Sequence, residues 1–225
     1  MIRQERLHLE TLEKLSALRI KGLDDLDATG HELATFLESY VKNHPDSKDW
    51  PQWKTRKINH VLFALLCHQT ADHCSFCDGY PMTDDMTSET IEHFRPKSGP
   101  HARPDLRLTW ENLFACCSGC QNAKRDLWHE ALLKPDESDY SFDRYFSCEF
   151  TTGKLTPKRR LPEADRVRAE KSIQLYDLNR YAARRLDLFL HRPYFGLKVP
   201  LNKQPFRYWM EALDKTKPAA GETTL

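Results

Sequence analysis

In the stretch "ETIEHFRPKS" (Glu89 to Ser98) an acid, Glu92, stands beside an imidazole, His93, with Arg95 and Lys97 just behind and Pro96 between them. Ordinary strand packing calls for no such combination. An imidazole titrates near neutrality and can take a proton from water, while a carboxylate can hold a hard ion such as Mg²⁺ that keeps several waters. Those are the parts that phosphodiester hydrolysis needs: a base for the attacking water and a cation for the charge at phosphorus and the leaving oxygen. In a regular strand the two side chains would point to opposite faces. For both to serve one site the pleat must break there, and Pro96 restricts Arg95 and ends regular pairing.

On either side of this pair lie "CSFC" (Cys74, Cys77) and "CSGC" (Cys117, Cys120). The C-x-x-C spacing lets a tight turn aim two thiolates at one tetrahedral ion, so two such units make one closed structural Zn²⁺ site. A redox motif would come once, near a βαβ pattern, and would need no second pair. The gap between the units exceeds the roughly 15–20 residues of a plain zinc ribbon, so the acid and imidazole lie in a segment inserted within a zinc-pinned loop. Cys116 could replace Cys117 as ligand, and His73 could replace a cysteine. Cys67 and Cys148 stand alone and read as core residues.

The other half of the site falls in "LTWENLFACCSGCQNAKRD". Asn112 precedes a strand-like "LFACC" and could hydrogen-bond across the loop to orient His93. Gln121 and Asn122 follow the last cysteine, at the opening of a helix expected to run through Leu127 and Trp128; either amide oxygen could complete a divalent-ion site with Glu92. Arg95, Lys97, Lys124 and Arg125 bracket the site and could hold phosphates on either side of a scissile bond. "PKRR" (157–160) and "RYAARR" (180–185) are further basic clusters that could form a second nucleic-acid surface.

The order C-x-x-C, acid-His, Asn-Leu, C-x-x-C, amide, Lys resembles the HNH endonuclease family. The resemblance implies a ββα-metal fold with Glu92 as metal ligand, His93 as general base, Asn112 as orienter and a second metal ligand at Gln121 or Asn122, where the family usually carries His or Asn. It implies Mg²⁺ or Mn²⁺ as the catalytic ion beside the structural Zn²⁺. "EHFRPKS", "WENLFACCSGCQNAKRD" and "SIQLYDLNRYAARR" look like the PtuB-type HNH proteins of Septu and retron-linked anti-phage systems, over most of residues 60–190. That likeness implies a nucleic-acid substrate, invading DNA or host tRNA. It also implies an ABC-type ATPase partner, PtuA, and in retron systems a reverse transcriptase with its msDNA.

The elements that must position these residues are helical on both sides. Leu9, Leu12, Leu15 and Leu18 suggest a first helix; Leu33, Phe36, Leu37, Tyr40 and Val41 a second; Ile58, Val61, Leu62, Leu65 and Leu66 a third, with Pro51 near its start. "YFSCEF-TTGK-LTPK" reads as two strands about a Gly turn. Val167, Ile173, Leu175 and Leu178, then Tyr181, Ala182, Leu186, Phe189 and Leu190, form a helical tail that "HRP" should stop, and "DKTKPAAGETTL" should fray. The expected architecture is α+β: an N-terminal helical region (1–72), a zinc-stabilised ββα-metal core (73–160) and a C-terminal helical region (161–225).

With 225 residues and 40% hydrophobic content the chain can bury a substantial core. It has no apolar run of the roughly 18 residues that a membrane span needs. Its polar opening lacks a secretory h-region, so a cytoplasmic location is expected, where 7 cysteines stay reduced and pairs of them read as metal ligands. A net charge of +1 gives little general grip on a polyanion, which leaves room for a partner that presents the substrate. Two rivals to a nuclease are a non-catalytic zinc module that binds nucleic acid and a structural adaptor for an ATPase.

Overall fold

The computed structural model describes residues 2–82, 90–195 and 199–215, with residues 192–195 described by their backbone only. Glu89 and the tail beyond residue 215 lie outside the described residues. The early leucines form no α-helix: Leu9–Thr11 and Leu15–Leu18 are separate 3₁₀ turns. A repeat of three matches the 3₁₀ period, not the 3.6 residues of an α-helix. Helix α1 (Gly30–Asn43) opens on a capping box between Thr29 and Glu32 and buries Leu33 and Leu37. A Cβ at Gly30 would lie 1.8 Å from the Leu9 carbonyl oxygen, so glycine is what lets the first 3₁₀ turn ride against this helix.

Strands β1 (Gln52–Trp53) and β2 (Arg56–Lys57) make a small antiparallel hairpin before α2 (Ile58–Thr70). Pro51 therefore precedes a hairpin, not the helix start expected for it. The face Ile58, Val61, Leu62, Leu65 and Leu66 is fully buried, as its spacing suggests.

Strand β3 (Ile91–His93) pairs antiparallel with β4 (Leu113–Ala115), Glu92 opposite Phe114. Helix α3 (Ser118–Lys124) follows, giving a ββα unit. It ends where Arg125 takes φ +50°, a left-handed value, and so does not continue through Leu127 and Trp128. Next come α4 (Phe142–Tyr145) and the hairpin of β5 (Phe146–Glu149) and β6 (Lys154–Pro157). Gly153, at φ +73°, turns that hairpin.

The tail is α5 (Glu163–Leu175), a 3₁₀ turn at Leu178–Tyr181, α6 (Ala182–Phe195) and α7 (Arg207–Lys215). "HRP" lies inside α6 and does not stop it at His191. Helix α7, which no sequence signal announced, buries Tyr208, Trp209, Met210 and Leu213.

Helices and two-stranded sheets together make an α+β architecture. One buried cluster runs from Leu9 to Leu213, so both flanks share the core on which the ββα unit sits. Within it the Phe76 and Tyr176 rings stack at 3.9 Å. Arg185, wholly buried, donates to Gly153 O, Leu178 O, Asn179 Oδ1 and Tyr208 Oη. That takes one arginine of the "RYAARR" cluster out of any nucleic-acid surface. Among the described residues no helix is long and apolar enough to cross a membrane.

Candidate metal centre and active site

The sulfurs of Cys74, Cys77, Cys117 and Cys120 all lie within 4.8 Å of one another, and all four residues are buried. Cys77 Sγ and Cys117 Sγ are 3.7 Å apart. That is far beyond a disulfide bond of about 2.05 Å and matches the apex spacing of a tetrahedron with arms of about 2.3 Å. The donor set fits a tetrahedral ion such as Zn²⁺.

Local geometry builds each knuckle. Gly79 N donates to Cys77 Sγ, and Cys117, as N-cap of α3, accepts from Cys120 N, so backbone N–H groups point at sulfur. The thiols divide under this crowding. Burial pushes Cys77 up, whereas Cys74, against its own burial, is drawn down by hydrogen bonds from Cys116, Cys117 and Cys120. Four buried thiolates can coexist only around a cation.

Of the two alternatives, Cys116 lies outside this group of four and turns its thiol to the Cys117 carbonyl at 3.4 Å. His73 faces the Ala71 and Gln204 carbonyls with its two ring nitrogens, at 2.7 and 2.9 Å, so neither is left for a metal.

The C-terminal tail closes over the centre. Tyr181 Oη lies 3.1 Å from Cys117 Sγ, and Arg180 donates to Gly119 O at 2.6 Å. A Cβ on Gly119 would meet Tyr181 Oη at 2.2 Å, which is why "CSGC" carries glycine there. Asp78, just past the first knuckle, accepts from Arg207 N at 2.6 Å and from the Arg207 guanidinium at 2.5 and 3.0 Å. The knuckle thereby fixes the start of α7.

On β3, Glu92 and His93 are adjacent and both buried. His93 Nε2 lies 2.9 Å from the Arg107 carbonyl oxygen, so that nitrogen carries the hydrogen and Nδ1 is the basic one. Its ring stacks on Trp50 at 5.8 Å. Burial, then the charge of Lys97, lowers the imidazole to about 4, so it is neutral at physiological pH.

Glu92 Oε1 accepts from Lys124 Nζ at 2.6 Å, and the same ammonium donates to the His93 carbonyl at 2.9 Å. Burial pushes the Glu92 carboxyl up to about 7, with Lys124 acting against it. Lys124, expected among the phosphate contacts, has no exposed surface and instead pins Glu92 to the His93 backbone. The helix that ends at Lys124 turns this residue inward, toward β3.

Gln121 Nε2 donates to Ile91 O at 3.3 Å, which brings this amide to β3 and leaves its oxygen for other use. Asn122 is exposed, its carbonyl accepting from Arg125 Nε at 3.1 Å. A buried carboxylate and an amide oxygen are suitable donors for a hard divalent ion, though here the carboxylate already has an ammonium beside it.

Asn112 is buried and clasps the loop behind His93. Its Oδ1 accepts from Arg95 N at 2.7 Å, and its Nδ2 donates to Arg95 O and Leu106 O, both at 3.1 Å. It therefore ties the backbone just past His93 to the residue before Arg107, while the ring itself is held by the Arg107 carbonyl. Lys97 and Arg125 are exposed, and Arg95 is half-buried with its guanidinium stacked on Trp128 at 3.7 Å. Sequence reasoning missed Arg107, Trp50, Trp128 and Tyr181. Tyr181, Arg107 and Trp128 stood in quoted motifs or near them, and nothing in their spacing marks what they touch.

No family model matches the chain. The chain is 24% identical over 156 residues, 65% of its length and 72% of the relative's, to a protein of Vibrio cholerae serotype O1 biovar El Tor named "Retron Vc95 putative HNH endonuclease".

Proposed function

We propose that this protein is a metal-dependent HNH endonuclease that hydrolyses phosphodiester bonds of nucleic acid, with His93 as general base. The observation that carries the reading is the His93 ring, fixed through Nε2 to the Arg107 carbonyl on a ββα unit next to Glu92. The likeness to a protein named as a retron HNH endonuclease supports it.

In this reading Cys74, Cys77, Cys117 and Cys120 hold a structural Zn²⁺, and Glu92 with Gln121 holds Mg²⁺ or Mn²⁺. The divalent ion supplies positive charge to the phosphate and the leaving oxygen. His93 Nδ1 takes a proton from water as the water oxygen bonds to phosphorus and the phosphorus–oxygen bond to the leaving nucleotide breaks. The Arg107 carbonyl keeps the tautomer that leaves Nδ1 basic, and Asn112 keeps that carbonyl's loop in place. Lys97, Arg125 and Arg95 position flanking phosphates without reading bases.

The middle part of the chain (73–160) carries the chemistry, and the helical flanks engage a partner. By the PtuB-type resemblance that partner is an ABC-type ATPase that gates the nuclease in anti-phage defence, with a retron reverse transcriptase and msDNA in the same assembly. A specific observation favours a second reading, that of a non-catalytic zinc module: Glu92 is already neutralised by Lys124. Incubating the protein with duplex DNA, single strands and total tRNA in Mg²⁺ or Mn²⁺, with and without the ATPase, decides between them. The nuclease reading expects one of these to be cut; none cut in either condition sinks it.

A further inference from the structure

Three cations among the described residues are fully or almost fully buried: Lys124, Arg185 and Arg107. Lys124 is matched by Glu92 and the His93 carbonyl, and Arg185 by four oxygens. Arg107 is not matched. It is 4% exposed, its Nη2 donates to the His44 carbonyl at 3.2 Å, and its Nε and Nη1 are buried with no partner. No carboxylate among the described residues pairs with it.

A guanidinium with empty donors in a dry setting is costly unless something negative joins it. Nothing about packing requires that charge, because its carbonyl alone holds His93. Nε and Nη1 lie on the two different edges of the planar fork, each edge completed by Nη2, so both edges that could match two oxygens of a phosphate carry an empty donor.

The position of Arg107 gives these donors their meaning. The residue whose carbonyl fixes His93 Nε2 at 2.9 Å sends its side chain under Tyr40, 5.5 Å from that ring, and under His44. Trp50 covers His93 in the same way. Tyr40 and Trp50 are half-buried and His44 is exposed, so the roof over both residues itself meets solvent.

We propose that Arg107 is a phosphate-binding residue of the active site, its guanidinium taking two non-bridging oxygens of the scissile phosphate along one edge of the fork once the Tyr40, His44 and Trp50 roof is moved aside and Nη2 leaves the His44 carbonyl. The inference rests on the nuclease reading and deepens it. The ligand is a phosphodiester of nucleic acid, and Arg107 joins the reaction with two parts: its carbonyl orients the base, its guanidinium holds the group that the base's water attacks.

The test uses full-length protein and the oligonucleotide that wild type cuts. Arg107→Gln lowers kcat about 10²–10³-fold, the loss typical of one removed transition-state donor, while bound zinc and Tm stay put. Arg107→Lys, which keeps charge but loses the fork, recovers part of that rate. In a His93→Ala background, Arg107→Gln weakens binding of the fluorescently labelled oligonucleotide and flattens the log K against log salt slope by roughly 0.7–0.9, one phosphate contact.

If Arg107→Gln does not fold, Arg107→Lys replaces it, with an expected kcat loss of about tenfold. Wild-type kcat in the folded variant, or an unchanged salt slope, overturns the proposal. Wild-type cleavage by Arg107→Gln beside total loss in His93→Ala sinks this inference alone, whereas no cleavage by wild type sinks the nuclease reading itself.

Discussion

The cysteine centre and the Glu92–His93 pocket are joined through the same strand pair, yet they are built in opposite ways. The four sulfurs depend mostly on each other and on N–H groups one to three residues away, as Gly79 N on Cys77 and Cys120 N on Cys117 show. The pocket borrows every partner from afar. His93 takes the Arg107 carbonyl and the Trp50 ring, and Glu92 takes Lys124. A site written in spacing survives on local turns; a site written in burial exists only once the flanks have packed.

The largest effect should come from the centre itself. Stripping the metal with a strong chelator, or Cys77→Ser with Cys117→Ser, removes binding free energy on the order of 10 kcal/mol. The expected outcome is loss of the cooperative thermal transition together with the metal signal in elemental analysis. Retention of both structure and melting after full metal removal would erase the contrast between the two regions.

In the pocket the matching break is Lys124→Met, which strands a buried carboxylate and costs about 3–5 kcal/mol. Urea denaturation should show that loss, and Lys124→Met with Glu92→Leu should restore most of it, because the pair's desolvation disappears with its charge. Additive losses in the double variant would mean that the two side chains do not depend on each other.

A smaller effect tests the join between tail and centre. Gly119→Ala pushes a Cβ to 2.2 Å from Tyr181 Oη and should cost about 1–3 kcal/mol. Adding Tyr181→Phe removes the clashing oxygen and should return part of the stability, read as Tm.

The pH effects separate the two pocket residues from each other. His93, lowered from 6.5 to about 4 mainly by burial, contributes stability that is complete above 6.5 and lost as pH falls through 4. Glu92, raised from 4.5 to about 7 by burial, acts the other way: its contribution is complete below 4.5 and lost as pH rises through 7. Urea midpoints between these limits should therefore flatten in opposite senses in His93→Gln and Glu92→Gln. Matching pH curves for both variants and wild type would show that neither group is buried as described.

How far the sequence alone could go follows from the same contrast. The C-x-x-C pairs announce their cluster because a turn of that spacing has few other uses, and the leucine stripes of α1 and α2 announce their faces. Leu9 to Leu18 misled because a three-residue repeat is shared by α and 3₁₀ readings. Lys124 misled because basic residues near a site look like phosphate contacts until the turn of α3 sends one inward. Arg107 and Trp50 were silent: an arginine in "PDLRL" and a tryptophan in "KDWPQ" have no pattern that encodes a carbonyl or a ring offered to a distant histidine. Helix α7 was silent as well, since its entry is fixed by Asp78, far earlier in the chain.

The central claim is that the imidazole fixed by Arg107 takes a proton from the attacking water. The most direct measurement is single-turnover cleavage by wild type and His93→Ala at equal bound zinc and equal Tm, in Mg²⁺ or Mn²⁺. The account predicts a rate loss of about 10²–10⁴-fold in the variant; equal rates in the two proteins would contradict it.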